Sequence, residues 1–418
     1  MSDETSATGF FRSRWVERPE HVRELPSGTL PPGFRAVGVE AGIKPEGLDL
    51  AVLVSDAPAT VSAARFTTSA HVGAPVIVSR ASARDRLRAI VANSGGANTG
   101  DGERGIDTAR ATQHKAAELL GIEPEQVGVA STGVIGVELP REPLLEGIAY
   151  AIPRLQADSD SFSRAILTSD RGPKRGSLEV TLPAGTVRIS AQAKGAGMIS
   201  PRYATMFCFV QTDAAMDAAT LDLLTSVCVK RSFDRISVDG QLSTSDTVFT
   251  MAGGGSGVQI QPETPDELRF GEAMDALMRQ LAMEILHDGE GAKRVGRIVV
   301  RGDAERIGPV ARAVANSALV KTALHGGDPN FGRILQAAGQ VLPPSEPFLP
   351  DLEIEGRQVV SAGQSLITDL DELAELGRLV DREEVEYVLT LPGSGGETEV
   401  YFSDLSPEYV RFNAEYTS

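Results

Sequence analysis

Lys194-Gly195-Ala196-Gly197-Met198-Ile199-Ser200-Pro201-Arg202-Tyr203-Ala204-Thr205-Met206 joins two stretches that read as strands. Upstream, Leu178–Leu182 and Thr186–Ser190 flank Pro-Ala-Gly, the pattern of a hairpin with a three-residue loop. Downstream, Met206-Phe207-Cys208-Phe209-Val210 is an apolar run. A threonine opening such a run is ordinary, because β-branched side chains suit a pleated surface. Composition alone therefore gives the segment a structural role. Elsewhere in the chain, Ala51–Val54, Pro75–Val78, Ala89–Ala92, Val127–Ala130 and Arg297–Val300 also read as strands. Helical spacing of apolar residues predicts helices over 103–121, 141–154, 160–168, 215–231, 264–287 and 303–316. The elements mix without a regular βαβ rhythm, which predicts an α/β, mixed-sheet layered fold in two lobes rather than a doubly wound sheet.

A chain of 418 residues exceeds one ordinary domain. Forty basic against 57 acidic residues give a net charge of −17, which argues against nucleic acid and anionic membrane surfaces as partners. Aromatic residues make up 5%, so the core has to be built from Val, Ile, Leu and Ala. Cys208 and Cys228 form no disulfide framework and no CxxC pair, and only five histidines are present, so no metal site is expected. The start Met1-Ser2-Asp3-Glu4 has no basic, apolar leader pattern, and no apolar run approaches the roughly 18 residues of a span. A soluble cytoplasmic protein is the expectation. Residues 1–27 read as a polar extension whose Phe10, Phe11 and Trp15 pack on the body.

Common catalytic signatures are missing from the sequence: GxxxxGK[ST], HExxH, an EF-hand loop and GxSxG do not occur. Gly253-Gly254-Gly255-Ser256-Gly257-Val258 places Val where a dinucleotide loop needs its third glycine, so it reads as a turn.

The pattern KGAGMI-x-P-x-x-AT-M, followed by Thr212-Asp213-Ala214, resembles the self-cleavage region of the ornithine acetyltransferases, the bifunctional glutamate N-acetyltransferase family of arginine biosynthesis. The likeness continues in order over 28–418. It includes Ser55-Asp56-Ala57-Pro58-Ala59-Thr60, Asn93-Ser94-Gly95-Gly96-Ala97-Asn98 and Ser131-Thr132-Gly133-Val134-Ile135-Gly136. Further along come Asp288-Gly289-Glu290-Gly291-Ala292, Lys321-Thr322-Ala323, Asp328-Pro329-Asn330-Phe331-Gly332-Arg333 and Tyr416-Thr417-Ser418. The resemblance implies a precursor that cuts itself between Ala204 and Thr205, giving an alpha chain (28–204, after the 1–27 extension) and a beta chain (205–418). The chemistry is intelligible: a threonine hydroxyl needs a base, and an N-terminal Thr205 carries its own in an α-amine of reference pKa about 7.7–8.0.

The resemblance further implies that Thr205 is the nucleophile, with the Thr132 hydroxyl and Gly133 N–H as the oxyanion hole. Thr168, Lys194, Thr205, Glu290, Asn413 and Ser418 become the substrate contacts. Taken alone, Thr132-Gly133 would be a turn, Lys194 a solvated lysine, Glu290 a loop acid, and Asn413 and Ser418 a tail. The implied reaction is ping-pong transfer of acetyl from N2-acetylornithine to L-glutamate, without a cofactor, acetyl-CoA serving as a second donor in bifunctional members. The implied assembly is a heterotetramer, two of each chain. Arg202-Tyr203 stand where the family usually has Asn-Met, and Gln241-Leu242 where Asp-Thr is usual. Thr168-Ser169-Asp170 replaces Thr-Thr-Asp, and Phe331 a usual Trp. Two rival readings are a self-cleaving N-terminal-Thr hydrolase or aminopeptidase, which would release product without glutamate, and a non-catalytic binding relative, which would form no acetyl-Thr205.

Overall fold

The structure is a computed structural model that describes residues 9–200, 206–345 and 347–415. A four-stranded sheet runs Phe34–Val39, Leu50–Ser55, Ala89–Asn93, Val127–Ser131. A six-stranded sheet runs Val22–Glu24, Lys174–Leu182, Gly185–Lys194, Phe207–Thr212, Thr247–Ala252, Val61–Phe66. Their facing sides share one core: Ala51, Leu53, Ile90 and Ala92 from the first meet Phe207, Phe209, Phe249 and Met251 from the second. The alternate residues Val52, Val54, Val91 and Val129 turn away, toward the helices Ala74–Ala81, Glu103–Leu120 and Arg141–Ala151. On the far side, Val180, Ile189, Cys208 and Val210 pack with the helices Ala218–Arg231 and Pro265–His287. The result is helices, sheet, sheet, helices. Strands covered on both faces have no polar side to show, which is why they read as continuous apolar runs.

A second lobe follows. Its seven-stranded sheet runs Ile236–Ser237, Gly396–Ser403, Val295–Gly302, Glu384–Thr390, Asp351–Ile354, Arg357–Ser361, Gln364–Ser365. The helices Ala304–Ala315, Ala318–Gly326, Gly332–Gly339 and Leu370–Val380 share its core. The sheets mix parallel and antiparallel pairs: Ala89–Asn93 lies parallel to Val127–Ser131 across a helical crossover, whereas the neighbouring pairs are antiparallel. The α/β mixed-sheet layered reading is thus correct.

One predicted strand is wrong. Pro75–Val78 lies inside the helix Ala74–Ala81, with proline in its first turn. The ring presets φ for a helix start, and Ser79 docks the helix on the sheet by accepting from Val129 N–H (2.8 Å) and donating to Val129 O (2.7 Å). The predicted hairpin is longer and tighter than read: pairing runs from Lys174↔Ala193 to Leu182↔Gly185, around a two-residue Pro183-Ala184 turn. Helix 160–168 ends early, at Ala165, which leaves Thr168 in the following turn.

Residues 9–27 are integrated into the body. Val22–Glu24 adds an edge strand to Lys174–Leu182, and Phe10, Phe11 and Trp15 pack against the core behind it. Among the described residues no helix is long and apolar enough to cross a membrane.

Candidate active site

Chain direction gathers the site. Gly185–Lys194 ends, and Phe207–Thr212 begins, at the end of the six-stranded sheet that meets the loops after Asn93 and Ser131. Those two loops are stitched together. Ser131 Oγ donates to Asn93 Oδ1 (2.6 Å), Asn93 Nδ2 to Gly96 O (3.0 Å), Thr132 N–H to Asn93 O (3.0 Å) and Val134 N–H to Gly95 O (3.3 Å). Between them, Gly133 adopts φ +127°. A Cβ there would stand 2.4 Å from Gly95 C, so the approach of the two loops requires glycine. Its N–H donates to no acceptor among the described residues.

Lys194 is 2% exposed. Its Nζ donates to Thr168 Oγ1 (2.7 Å) and Thr132 Oγ1 (3.2 Å) and lies 4.0 Å from Asp170 Oδ2. Ammonium has no acceptor, so Thr132 receives here and keeps its own hydrogen to give. Burial lowers the Lys194 pKa, opposed chiefly by the charge of Asp170.

Asp170 is itself fully used. It accepts from Lys174 Nζ (2.6 Å), Gly195 N–H (2.7 Å) and Thr168 N–H (3.1 Å). Burial works against its charge, but Lys174 and Lys194 win and hold its carboxyl well below the ordinary range. Lys174 also donates to Asp288 Oδ2 (2.5 Å), at the end of the long helix Pro265–His287. Two residues later, Glu290 N–H donates to Ala196 O (3.0 Å), and Asn413 Nδ2 reaches Glu290 Oε2 (2.7 Å) from the C-terminal helix Pro407–Glu415. Burial raises the Glu290 pKa; Asn413 and Ser169 pull it down. Gly197 presses on this carboxylate, for a Cβ there would lie 2.4 Å from Glu290 Oε1.

Asp246, 1% exposed, accepts Met206 N–H at its Oδ1 (3.0 Å). Its Oδ2 has no hydrogen-bond partner among the described residues. Burial pushes this carboxyl well above the usual range, and the Met206 N–H, the Thr67 hydroxyl, the Lys194 charge and the Ser243 hydroxyl only partly oppose it.

Thr132, Gly133, Thr168, Lys194, Glu290 and Asn413 therefore lie in one contact network. Ala204, Thr205 and Ser418 lie outside the described residues, as do Arg202 and Tyr203. Lys194 is not on the surface, and the Asp288–Lys174–Asp170 chain behind it was not anticipated. Asp170, two residues from Thr168, and Asp288, two residues before Glu290, lie inside quoted motifs and offered a signal; Lys174 offered none. Among the described residues no group of three or more His, Cys, Asp or Glu is placed to hold a metal. The arrangement offers two hydrogen donors with no acceptor among the described residues, Thr132 Oγ–H and Gly133 N–H. Beside them stand a cation and a carboxylate. That is a place for a carbonyl oxygen that gains negative charge, next to groups suited to an α-amino acid.

Comparison with known proteins agrees in length and order. The ArgJ family model matches residues 35–418. The arginine biosynthesis bifunctional protein ArgJ of Symbiobacterium thermophilum is 39% identical over 399 residues, covering 93% of this chain and 98% of its own. The glutamate N-acetyltransferase of Methanocaldococcus jannaschii is 39% identical over 405 residues, with the same coverage, 93% and 98%. Among solved structures, an ornithine acetyltransferase of Mycobacterium tuberculosis complexed with ornithine is 33% identical, covering 44% of this chain and 99% of that one, with a TM-score of 0.40. The chain belongs to the ArgJ family.

Proposed function

We propose that the protein is a self-processing acyltransferase of arginine biosynthesis that carries acetyl from N2-acetylornithine to L-glutamate on Thr205. The relatives named for bifunctional arginine biosynthesis and for glutamate N-acetyltransferase support the reaction class. One structural observation carries the site. Lys194 donates to Thr132, and the Thr132 hydrogen and the neighbouring Gly133 N–H have no acceptor among the described residues.

In the precursor, the Thr205 hydroxyl adds to the Ala204 carbonyl carbon. The C–N bond breaks as the C–O bond forms, and the hydroxyl proton ends on the Thr205 nitrogen. Water then hydrolyses the ester, giving an Ala204 carboxylate and a free hydroxyl beside a new α-amine. In turnover that amine takes the hydroxyl proton while the oxygen attacks the acetyl carbonyl. Thr132 Oγ–H and Gly133 N–H hold the developing oxyanion, and losing one such donor costs about 10²–10³ in rate. The proton passes to the departing ornithine nitrogen. Glutamate's amine then attacks the acetyl ester, and its proton restores the Thr205 hydroxyl.

Lys194 and Glu290 suit the α-carboxylate and α-ammonium that ornithine and glutamate share. Thr168, Asn413 and Ser418 complete the contacts. No cofactor enters these steps. Acetyl-CoA as a second donor, assembly of two alpha with two beta chains, and a cytoplasmic location belong to the same proposal.

Intact mass spectrometry tests it. Purified protein should give chains 1–204 and 205–418, and acetylornithine without glutamate should add one acetyl group to the second. Thr205→Ala should stay whole and inactive. A fully active uncut chain would refute the reading, and acetate release without glutamate would favour a hydrolase.

A further inference from the structure

We infer that the loop Asp239-Gly240-Gln241-Leu242-Ser243-Thr244-Ser245-Asp246 is a two-ended clamp on the segment that self-cleaves, with Asp239 and Asp246 as its positioning residues. The inference rests on the proposed cut between Ala204 and Thr205. Upstream of that bond, the Asp239 carboxylate takes Met198 N–H at Oδ2 (2.6 Å) and Ile199 N–H at Oδ1 (2.9 Å). Ile199 O in turn accepts from Val238 N–H (2.9 Å), with the N–H groups of Asp239 and Gly240 at 3.3 and 3.2 Å. Met198 sits at φ +57°, a left-handed conformation that a non-glycine residue keeps only when its surroundings hold it. The two N–H bonds to Asp239 do that holding.

Downstream, Asp246 holds the first described residue after Thr205, through Met206 N–H. Covalent geometry makes this the amide that directly follows the Thr205 carbonyl. Asp246 is buried, and its Oδ2 has no hydrogen-bond partner among the described residues.

The loop is itself fixed to the rest of the site. Thr67 Oγ1 donates to Ser243 O (2.6 Å), Thr67 N–H to Asp246 O (2.9 Å) and Gly73 N–H to Thr244 O (3.0 Å), while the Thr244 and Thr99 hydroxyls lie 3.2 Å apart. One loop thus holds Met198 and Ile199 before the proposed cut and Met206 after it. A reacting pair gains most from being held in line, and a displacement of about an ångström costs on the order of a hundredfold. After the cut, Asp246 keeps its hold on the new chain start, whereas Asp239 holds only the severed end.

The two acids differ in what a conservative change does. Each Asp239 oxygen already accepts two donors, since Gln241 N–H (3.0 Å) and Tyr409 Oη–H (3.2 Å) join the two amides. Asp239→Asn turns one acceptor into a donor and breaks that end. Asp246→Asn keeps a carbonyl for Met206 N–H, whereas Asp246→Ala does not.

The test is a pulse–chase of cell-free synthesised full chain, following conversion to two chains by intact mass, with wild type and Thr205→Ala alongside. Asp239→Asn and Asp246→Ala should cut about a hundredfold more slowly, and Asp246→Asn close to the wild-type rate, at matched melting temperature. A wild-type chain that stays whole would defeat the cleavage reading beneath the inference. A wild type that cuts, with one or both of the slow variants cutting normally, overturns the clamp alone. Equal slowing by Asp246→Asn and Asp246→Ala also overturns it, because a held amide would tolerate asparagine. Should Asp246→Ala fail to fold, the remaining pair decides, and only fast Asp246→Asn with slow Asp239→Asn upholds the clamp.

Discussion

Replacing Lys194 by methionine separates what this buried cation does for the fold from what it does for the reaction. Methionine keeps the unbranched length and removes the charge. The bonds lost are those to Thr168 Oγ1 (2.7 Å) and Thr132 Oγ1 (3.2 Å) and the attraction to Asp170 at 4.0 Å. Removing one partner of a buried pair usually costs about 3–5 kcal/mol, because the other charge is stranded. Asp170 is not stranded: Lys174 at 2.6 Å and two backbone N–H groups remain. Lys194 also pays a burial cost that the variant escapes, as its lowered pKa shows. The stability loss should therefore be smaller, about 1–2 kcal/mol, the scale of hydrogen bonds given up by groups that find other partners.

Activity should fall much further. A charge-assisted bond to a substrate carboxylate is worth about 1.5–3 kcal/mol, or roughly 10- to 150-fold in KM for glutamate. Releasing the Thr132 hydroxyl from its orientation costs kcat up to the value of an oxyanion donor, about 10²–10³. Denaturant titration and steady-state acetyl transfer from acetylornithine measure the two separately. A folded Lys194→Met enzyme with unchanged kcat and KM would refute the assignment. A variant too unstable to fold would refute the claim that Lys174 suffices for Asp170.

Three further outcomes follow from the same contacts. Gly133→Ala forces a Cβ to within 2.4 Å of Gly95 C; the displaced N–H should cost about 10²–10³ in kcat with little change in KM, read by steady-state kinetics. Lys321 is 2% exposed, and burial lowers its pKa from 10.5 to about 7, with Asp239 and Asp404 opposing. Between those values the unfolded chain holds a proton that the folded one has lost, so stability should rise with pH; relative to Lys321→Met, by about 2 kcal/mol from pH 6.5 to 8.5, measured by denaturation in the uncut Thr205→Ala background. Asn413→Asp sets a carboxylate where an amide now donates to Glu290 at 2.7 Å. It should raise the Glu290 pKa further and move the acidic limb of the rate profile upward, which a pH series of kcat/KM checks.

How much of this was legible depends on what covers each element. Ala51–Val54 and Ala89–Ala92 announced themselves because both faces of their sheet are buried. The helices starting after Asp217 and Thr264 were read within about three residues of their true starts, where a side chain accepts from Thr220 N–H and Glu267 N–H respectively. Pro75–Val78 misled, since valine-rich composition outweighed the proline that starts a helix. In the second lobe Glu384–Thr390 alternates buried and half-buried, a period-two signal that was present but unread. At the site, Thr132, Gly133, Thr168, Lys194, Glu290 and Asn413 came from resemblance and not from any spacing. The supporting charges were hidden for a physical reason: Lys174 meets Asp288 from 114 positions away, and no local pattern records such a contact.

The ion chain behind the site explains why a lysine can sit buried and still be useful. Asp288, Lys174, Asp170 and Lys194 alternate in sign, and their formal charges sum to zero within a chain of net charge −17. Stability alone is a weak reason for such a row, because well-packed apolar residues often do as well. Its geometry gives a better one. Lys174 stands 2.6 Å from Asp170, whereas Lys194 stays at 4.0 Å. The near lysine satisfies the carboxylate, so the far one is attracted without being consumed. Lys194 consequently spends its hydrogen bonds on two hydroxyls, partners that a substrate carboxylate can outbid, since a full negative charge attracts the ammonium more strongly than a hydroxyl dipole does. Were Lys174 absent, Asp170 would draw Lys194 into a closed pair and the site would lose its cation. Lys174, which needs no contact with substrate, should therefore govern KM through Lys194.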